Sequence, residues 1–143
     1  MEKVSLLLQL DQELRLQAPV PHDEHSRSLL IDGMRVRLQL RPDATALLME
    51  SVVGAVDCQD AGLLYSMLEA NYQACGTGGG TLWVDEQDRA VLSRTISVDE
   101  LGLGGLVESL GRFVDHVEHW RARVDGDLAP RSASPWRFIG DLA

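Results

Sequence analysis

The chain has 143 residues, 22 of them acidic against 13 basic, for a formal charge of −9, and 45% are hydrophobic. That length fits one domain able to bury a real core, and the apolar content excludes a disordered chain. The acidity argues against nucleic acid or an anionic membrane as the main partner, because both repel a net anion.

Residues 2–18 are expected to form a helix. At 100° per residue, Val4, Leu6, Leu7, Leu8, Leu10, Leu14 and Ala18 spread over an arc of roughly 200°, whereas a helix packed on a single core needs only about 100°. Part of this helix is therefore expected to face a second apolar surface. Its early apolar run, 6–8, is broken at once by Gln9, Asp11, Gln12 and Glu13, so it is read as neither a signal peptide nor a membrane span. Pro19 and Pro21 end the helix, and a polar loop follows from His22 to Arg27.

Residues 28–40 read as a β-hairpin turning at Asp32-Gly33, a pair that tolerates the two positive φ angles of a tight turn. After the turn, Met34, Val36, Leu38 and Leu40 alternate with Arg35, Arg37 and Gln39, the period of a half-buried strand. Arg35, Arg37 and Arg41 form a basic stripe on one face. That stripe is either solvated surface or an exposed sheet face that contacts an acidic or polar partner segment. An apolar run over 46–53 reads as a third strand.

Asp57 or Asp60 can cap a second helix over 60–75. Leu63, Met67, Ala70 and Ala74 share one apolar face, and Leu64, Leu68, Tyr72 and Cys75 share another. A helix apolar on two sides is expected to be covered on both, the second time by another protomer. The glycine-rich string 76–80 follows a helix and precedes a strand, with no lysine nearby, so it reads as a turn and not a phosphate cradle. Residues 81–85 and 90–97 read as strands. Ser97-x-x-Glu100 has the form of a capping box, and Gly102, Gly104 and Gly105 delay the regular helix to about residue 105. From there Leu106, Leu110, Phe113, Val117, Trp120 and Val124 mark a long amphipathic helix ending near Gly126. The expectation is a single domain over 1–126, with a mostly polar tail over 127–143 that holds Trp136, Phe138 and Ile139.

The element order αβββαββα, with hairpins, implies an α+β domain with a mostly antiparallel sheet. No catalytic constellation stands out. His116 and His119 lie three apart on a helix and lack a third ligand, so no metal site is expected. Cys75 is expected to be a small core residue. Cys58 and Cys75 are not spaced as Cys-x-x-Cys, which favours a reduced, cytoplasmic setting. No enzyme activity and no cofactor are expected.

Leu63-Leu64, Leu68-Glu69-Ala70-Asn71-Tyr72, the glycine-rich break, Thr81-Leu82-Trp83-Val84-Asp85, Ala90-Val91-Leu92-Ser93 and the late Phe113-Val114 to Trp120 segment resemble, in order, the Tir-chaperone family. These are the class I chaperones of bacterial type III secretion. The resemblance implies a homodimer of protomers with a five-stranded twisted sheet and three helices. It places the dimer contact at Leu64, Met67, Leu68, Asn71, Leu82, Trp83 and Val84. It also implies that the protein binds the extended N-terminal segment of a secreted effector, on patches made by Leu6, Leu7, Leu10, Leu14, Leu29, Ile31, Val36 and Leu38. The implied function is to keep that effector soluble and present it to the secretion machinery, the secretion ATPase included, in the bacterial cytoplasm. The alternative is a chaperone-like regulator that sequesters a small regulatory protein.

Overall fold

The computed structural model describes residues 20–23, 26–41 and 45–126. The helix expected over 2–18 and the tail 127–143 lie outside the described residues. Six antiparallel strands form one sheet: β1 (Val20–Asp23), β2 (Ser26–Ile31), β3 (Met34–Leu40), β4 (Ala46–Ala55), β5 (Thr81–Val84) and β6 (Arg89–Ser97), in the spatial order β1-β2-β3-β4-β6-β5. Two α-helices are described, α1 (Ala61–Asn71) and α2 (Val98–Asp125).

All five expected strands are present. The sixth, β1, occupies the start of the expected polar loop. Its Pro21 is tolerated because β1 is an edge strand, paired only with β2. The β2–β3 hairpin turns at Asp32 (φ 50°) and Gly33 (φ 81°), both in the left-handed region as this two-residue turn requires.

Alternation along the strands sorts their side chains onto two faces. The inner face carries Leu29, Met34, Val36, Leu38, Leu40, Leu47, Met49, Val53, Leu82, Leu92 and Ile96. These join one buried cluster with Leu106, Leu110, Phe113 and Val117 of α2, whose apolar stripe lies where its three-and-four spacing places it. The helix closes at Gly126 in a left-handed cap.

The start of α2 differs from the capping-box expectation. Ser97 makes no side-chain capping bond, because it still pairs with Ala46 as the last residue of β6, and the Val98 N–H donates to the Thr45 carbonyl (3.0 Å). The first helical turn is then separated from the rest at Gly102 (φ 67°, ψ −177°).

Helix α1 begins at Asp60, whose carboxylate accepts the Leu63 N–H (3.0 Å). It ends four residues earlier than expected. A 3-10 turn follows at Tyr72–Ala74, with Gln73 and Ala74 at positive φ. This rotates Cys75 off the helical face, and the thiol expected in the core is exposed.

The glycine string is the helix-to-strand turn that its context indicates. The Thr77 hydroxyl donates to the Gly80 carbonyl (2.7 Å), and a Cβ on Gly80 would overlap the Ser93 carbonyl oxygen. Trp120 Nε1 donates to the Gly76 carbonyl (2.9 Å) and Arg123 donates to Ser66 Oγ (3.0 Å), so this turn and α1 are both tied to α2.

Asn71 joins α1 to the edge of the sheet. Its Nδ2 donates to the Leu82 carbonyl (2.9 Å) and its Oδ1 accepts the Leu82 N–H (2.8 Å). The side-chain amide thus stands in for a neighbouring strand along β5. Asn71→Ala is expected to leave both backbone groups without these partners. It should destabilise the fold by about 2–3 kcal/mol, read as a lowered denaturation midpoint with an unchanged slope.

Candidate functional site

The outer sheet face differs in character from the inner one. Strand pairing aligns Trp83 with Val91 and Val91 with Val52, making an apolar row across β5, β6 and β4. Arg35 and Leu30 are paired on the next two strands. Alongside runs a polar row: Thr81, Ser93, Glu50, Arg37 and Ser28, each paired with the next. Trp83 Nε1 donates to Ser93 Oγ (3.1 Å), which ties the indole to the polar row. Leu30 (62%), Val52 (41%) and Trp83 (40%) are exposed. An open groove of about 610 Å³ runs between these rows, bounded by Ser28, Arg35, Arg37, Glu50, Val52, Trp83, Asp85, Arg89 and Val91.

Two ion pairs fix parts of this surface. Arg37 meets Glu50 at 3.4 Å, and Arg89 meets Asp85 at 2.8 Å. The Asp85 carboxyl is held below the usual carboxylate range, chiefly by the Arg89 backbone N–H, with further bonds from the Arg89 side chain and the Gln87 N–H. It stays ionised and closes the β5–β6 turn. Arg35 has no ion-pair partner among the described residues.

A second exposed apolar surface lies on α1. Leu63, Met67 and Ala70 of the first expected face are buried in the protomer. Of the second face, Leu64 is half-buried, whereas Leu68 (67%) and Tyr72 (69%) are exposed, with Tyr65 beside them. Sequence spacing therefore separates the two faces correctly.

The expected site residues sit in different settings in the protomer. Met67 and Leu82, assigned to a dimer contact, are buried in the protomer core; Asn71 and Val84 are half-buried, and Trp83 faces the sheet groove. Leu29, Val36 and Leu38, assigned to effector contact, lie in the sealed cluster under α2, and Ile31 packs against it half-buried. For Leu29, Val36 and Leu38 the physical reason is the same. An alternating strand shows that one face is apolar, but not that the chain's own last helix covers it. Leu6, Leu7, Leu10 and Leu14 lie outside the described residues. Sequence reasoning missed Leu30, Val52, Val91 and Tyr65. The run 46–53 did carry a signal, because it is apolar in both phases, with Leu48 and Val52 on the face opposite Leu47 and Met49.

Among the described residues no group of three or more His, Cys, Asp or Glu is placed to hold a metal ion. The Cys58 thiol donates to Asp88 Oδ1 (3.5 Å), which pushes its pKa up and away from thiolate reactivity. His116 Nδ1 is engaged with the Arg112 carbonyl (2.9 Å). Among the described residues, no helix is long and apolar enough to cross a membrane.

A sheet is thus sealed on one side by a long helix and carries an open groove on the other, with an exposed apolar helix face at its edge. The Tir chaperone protein (CesT) family profile matches residues 5–121, and the chain belongs to that family. The resemblance to class I type III secretion chaperones is thereby shown. Among solved structures the chain is similar to the Yersinia pestis type III secretion chaperone SycH in complex with a stable fragment of YscM2, at 21% identity over 83% of this chain and 99% of that one, with a TM-score of 0.65. It is similar to the ExsC–ExsE complex at 24% identity over 85% and 92%, TM-score 0.69. It is also similar to the heterodimeric ExoU–SpcU complex of the type III secretion system of Pseudomonas aeruginosa, at 18% identity over 85% and 97%, TM-score 0.62. At these identities the likeness is one of fold. No curated protein matches by sequence.

Proposed function

We propose that this chain is a cytoplasmic chaperone that binds the extended N-terminal segment of a cognate secreted effector as a homodimer. It keeps that segment soluble and presents it to the secretion machinery, including its ATPase. The observation that carries the reading is the apolar row Trp83–Val91–Val52, exposed at Trp83 and Val52, on a sheet whose other face is already sealed. Exposed apolar rows of this kind are kept where a partner covers them. Solved structures of the same fold include a type III secretion chaperone bound to a fragment of another protein and a chaperone–effector complex, which supports the same reading.

The mechanism needs no cofactor. Client side chains of Leu or Val size contribute about 1.5–3 kcal/mol each when buried in the groove. The ordering cost falls on the client, so a large contact is needed. The apolar face of α1, with Leu64, Leu68, Tyr65 and Tyr72, is the proposed self-interface, and a two-fold pairing there doubles the client surface.

Affinity capture with the tagged chain from its own cells tests this. The expected result is one large secreted protein whose binding maps to its N-terminal segment. Capture of a small regulatory protein alone, or binding that maps to a folded domain, would contradict it.

A further inference from the structure

The charge on the outer sheet face is opposite to that of the chain. The protein carries −9 overall, yet among the described residues lining the groove Arg35, Arg37 and Arg89 stand with two carboxylates, Glu50 and Asp85, each paired to one of those arginines. Arg35 and Arg37 line one side of the groove along β3. The apolar row lies on the other side, across β4, β6 and β5. We infer that this face selects an acidic amphipathic segment, one whose apolar side chains lie on Trp83, Val91 and Val52 while its Asp or Glu side chains meet Arg35 and Arg37. The inference rests on the chaperone reading and deepens it by naming the chemistry of the client.

Three observations favour a peptide of this composition. Arg35 is exposed and has no ion-pair partner among the described residues, so an incoming carboxylate pairs with it without breaking an existing bridge. Arg37 sits at 3.4 Å from Glu50 in a solvent-exposed pair, which a bidentate carboxylate can share or replace. The row from Trp83 to Leu30 crosses four inter-strand gaps of about 4.8 Å, roughly 19 Å, which an extended segment spans in about six residues. A nucleic acid fits the arginines but not the apolar row, and the remaining acidity of the chain repels it.

The test uses peptides of about twelve residues alternating Leu with Glu, the matching peptides alternating Leu with Lys, and a single-stranded oligonucleotide, all titrated calorimetrically against the full chain. The expected result is about tenfold tighter binding of the acidic peptide than the basic one at low ionic strength, narrowing in high salt. Arg35→Glu/Arg37→Glu, with circular dichroism unchanged, should invert that order. Equal affinity for both peptides, an unaltered order in the double variant, or binding of the oligonucleotide as tight as the acidic peptide would each overturn the inference. So would binding of neither peptide. If affinity capture of a secreted protein survives Arg35→Glu/Arg37→Glu undiminished, the chaperone reading stands and the charge selection fails.

Discussion

Met67→Glu is expected to unfold the protein, whereas Leu68→Glu, one residue on, is expected to leave it folded and convert a dimer into a monomer. Met67 is 3% exposed and packs in the protomer core with Leu63 and Ala70. A carboxylate there must either be buried charged or take up a proton, at a cost of about 4 kcal/mol, a large share of the ~5–15 kcal/mol that holds a domain together. Leu68 points away from that core, and its replacement alters little within one protomer. At a two-fold contact the lost side chain counts twice, about 3–6 kcal/mol, which weakens self-association by more than a hundredfold. Sedimentation of the two variants beside their thermal melts separates the effects. A Leu68→Glu protein that still sediments as a dimer would place the self-interface elsewhere.

The second large effect is expected on the sheet. Val52→Asp should weaken effector binding by about 10- to 100-fold, since it removes a valine anchor and sets a carboxylate in the apolar row. Adding Trp83→Ala should deepen the loss, because truncating a large aromatic anchor often removes a large share of a contact's energy. Val52 is 41% exposed, so the folded protomer tolerates the change with a strand-propensity cost below about 1 kcal/mol. Binding measured with the captured effector and folding measured by denaturation should therefore move independently. Leu38→Asp is the contrasting substitution, lowering both together because Leu38 belongs to the sealed core.

Much of this arrangement was legible from residue spacing, and the exceptions have physical causes. The β2–β3 turn, the cap at Asp60, the closing of α2 at Gly126 and the two apolar faces of α1 all follow from local patterns, because each is set by residues within one turn or one helix period. Strand β1 was hidden by Pro21, which reads as a breaker unless the strand lies at a sheet edge. The displacement of Cys75 depends on positive φ at Gln73 and Ala74, two residues that carry no signal for it. For Leu29, Val36 and Leu38 the local pattern goes only part of the way. Their alternation marks a buried face, but only the packing of α2, distant in sequence, decides that the protomer buries it. The open face was only partly legible. Its arginines read either as solvated surface or as a face for an acidic or polar partner segment, and its apolar members, Val52, Val91 and Trp83, sit on three separate strands that only the sheet aligns.

The central claim is that a client segment lies on the outer sheet face. Methyl and indole NMR spectra of the chain, free and saturated with the N-terminal segment of the captured effector, address it directly. The account predicts large shifts for the Val52 and Val91 methyls and the Trp83 indole N–H, with Leu29, Val36 and Leu38 little changed. Shifts confined to Leu68 and its neighbours on α1, with the sheet resonances unmoved, would contradict it.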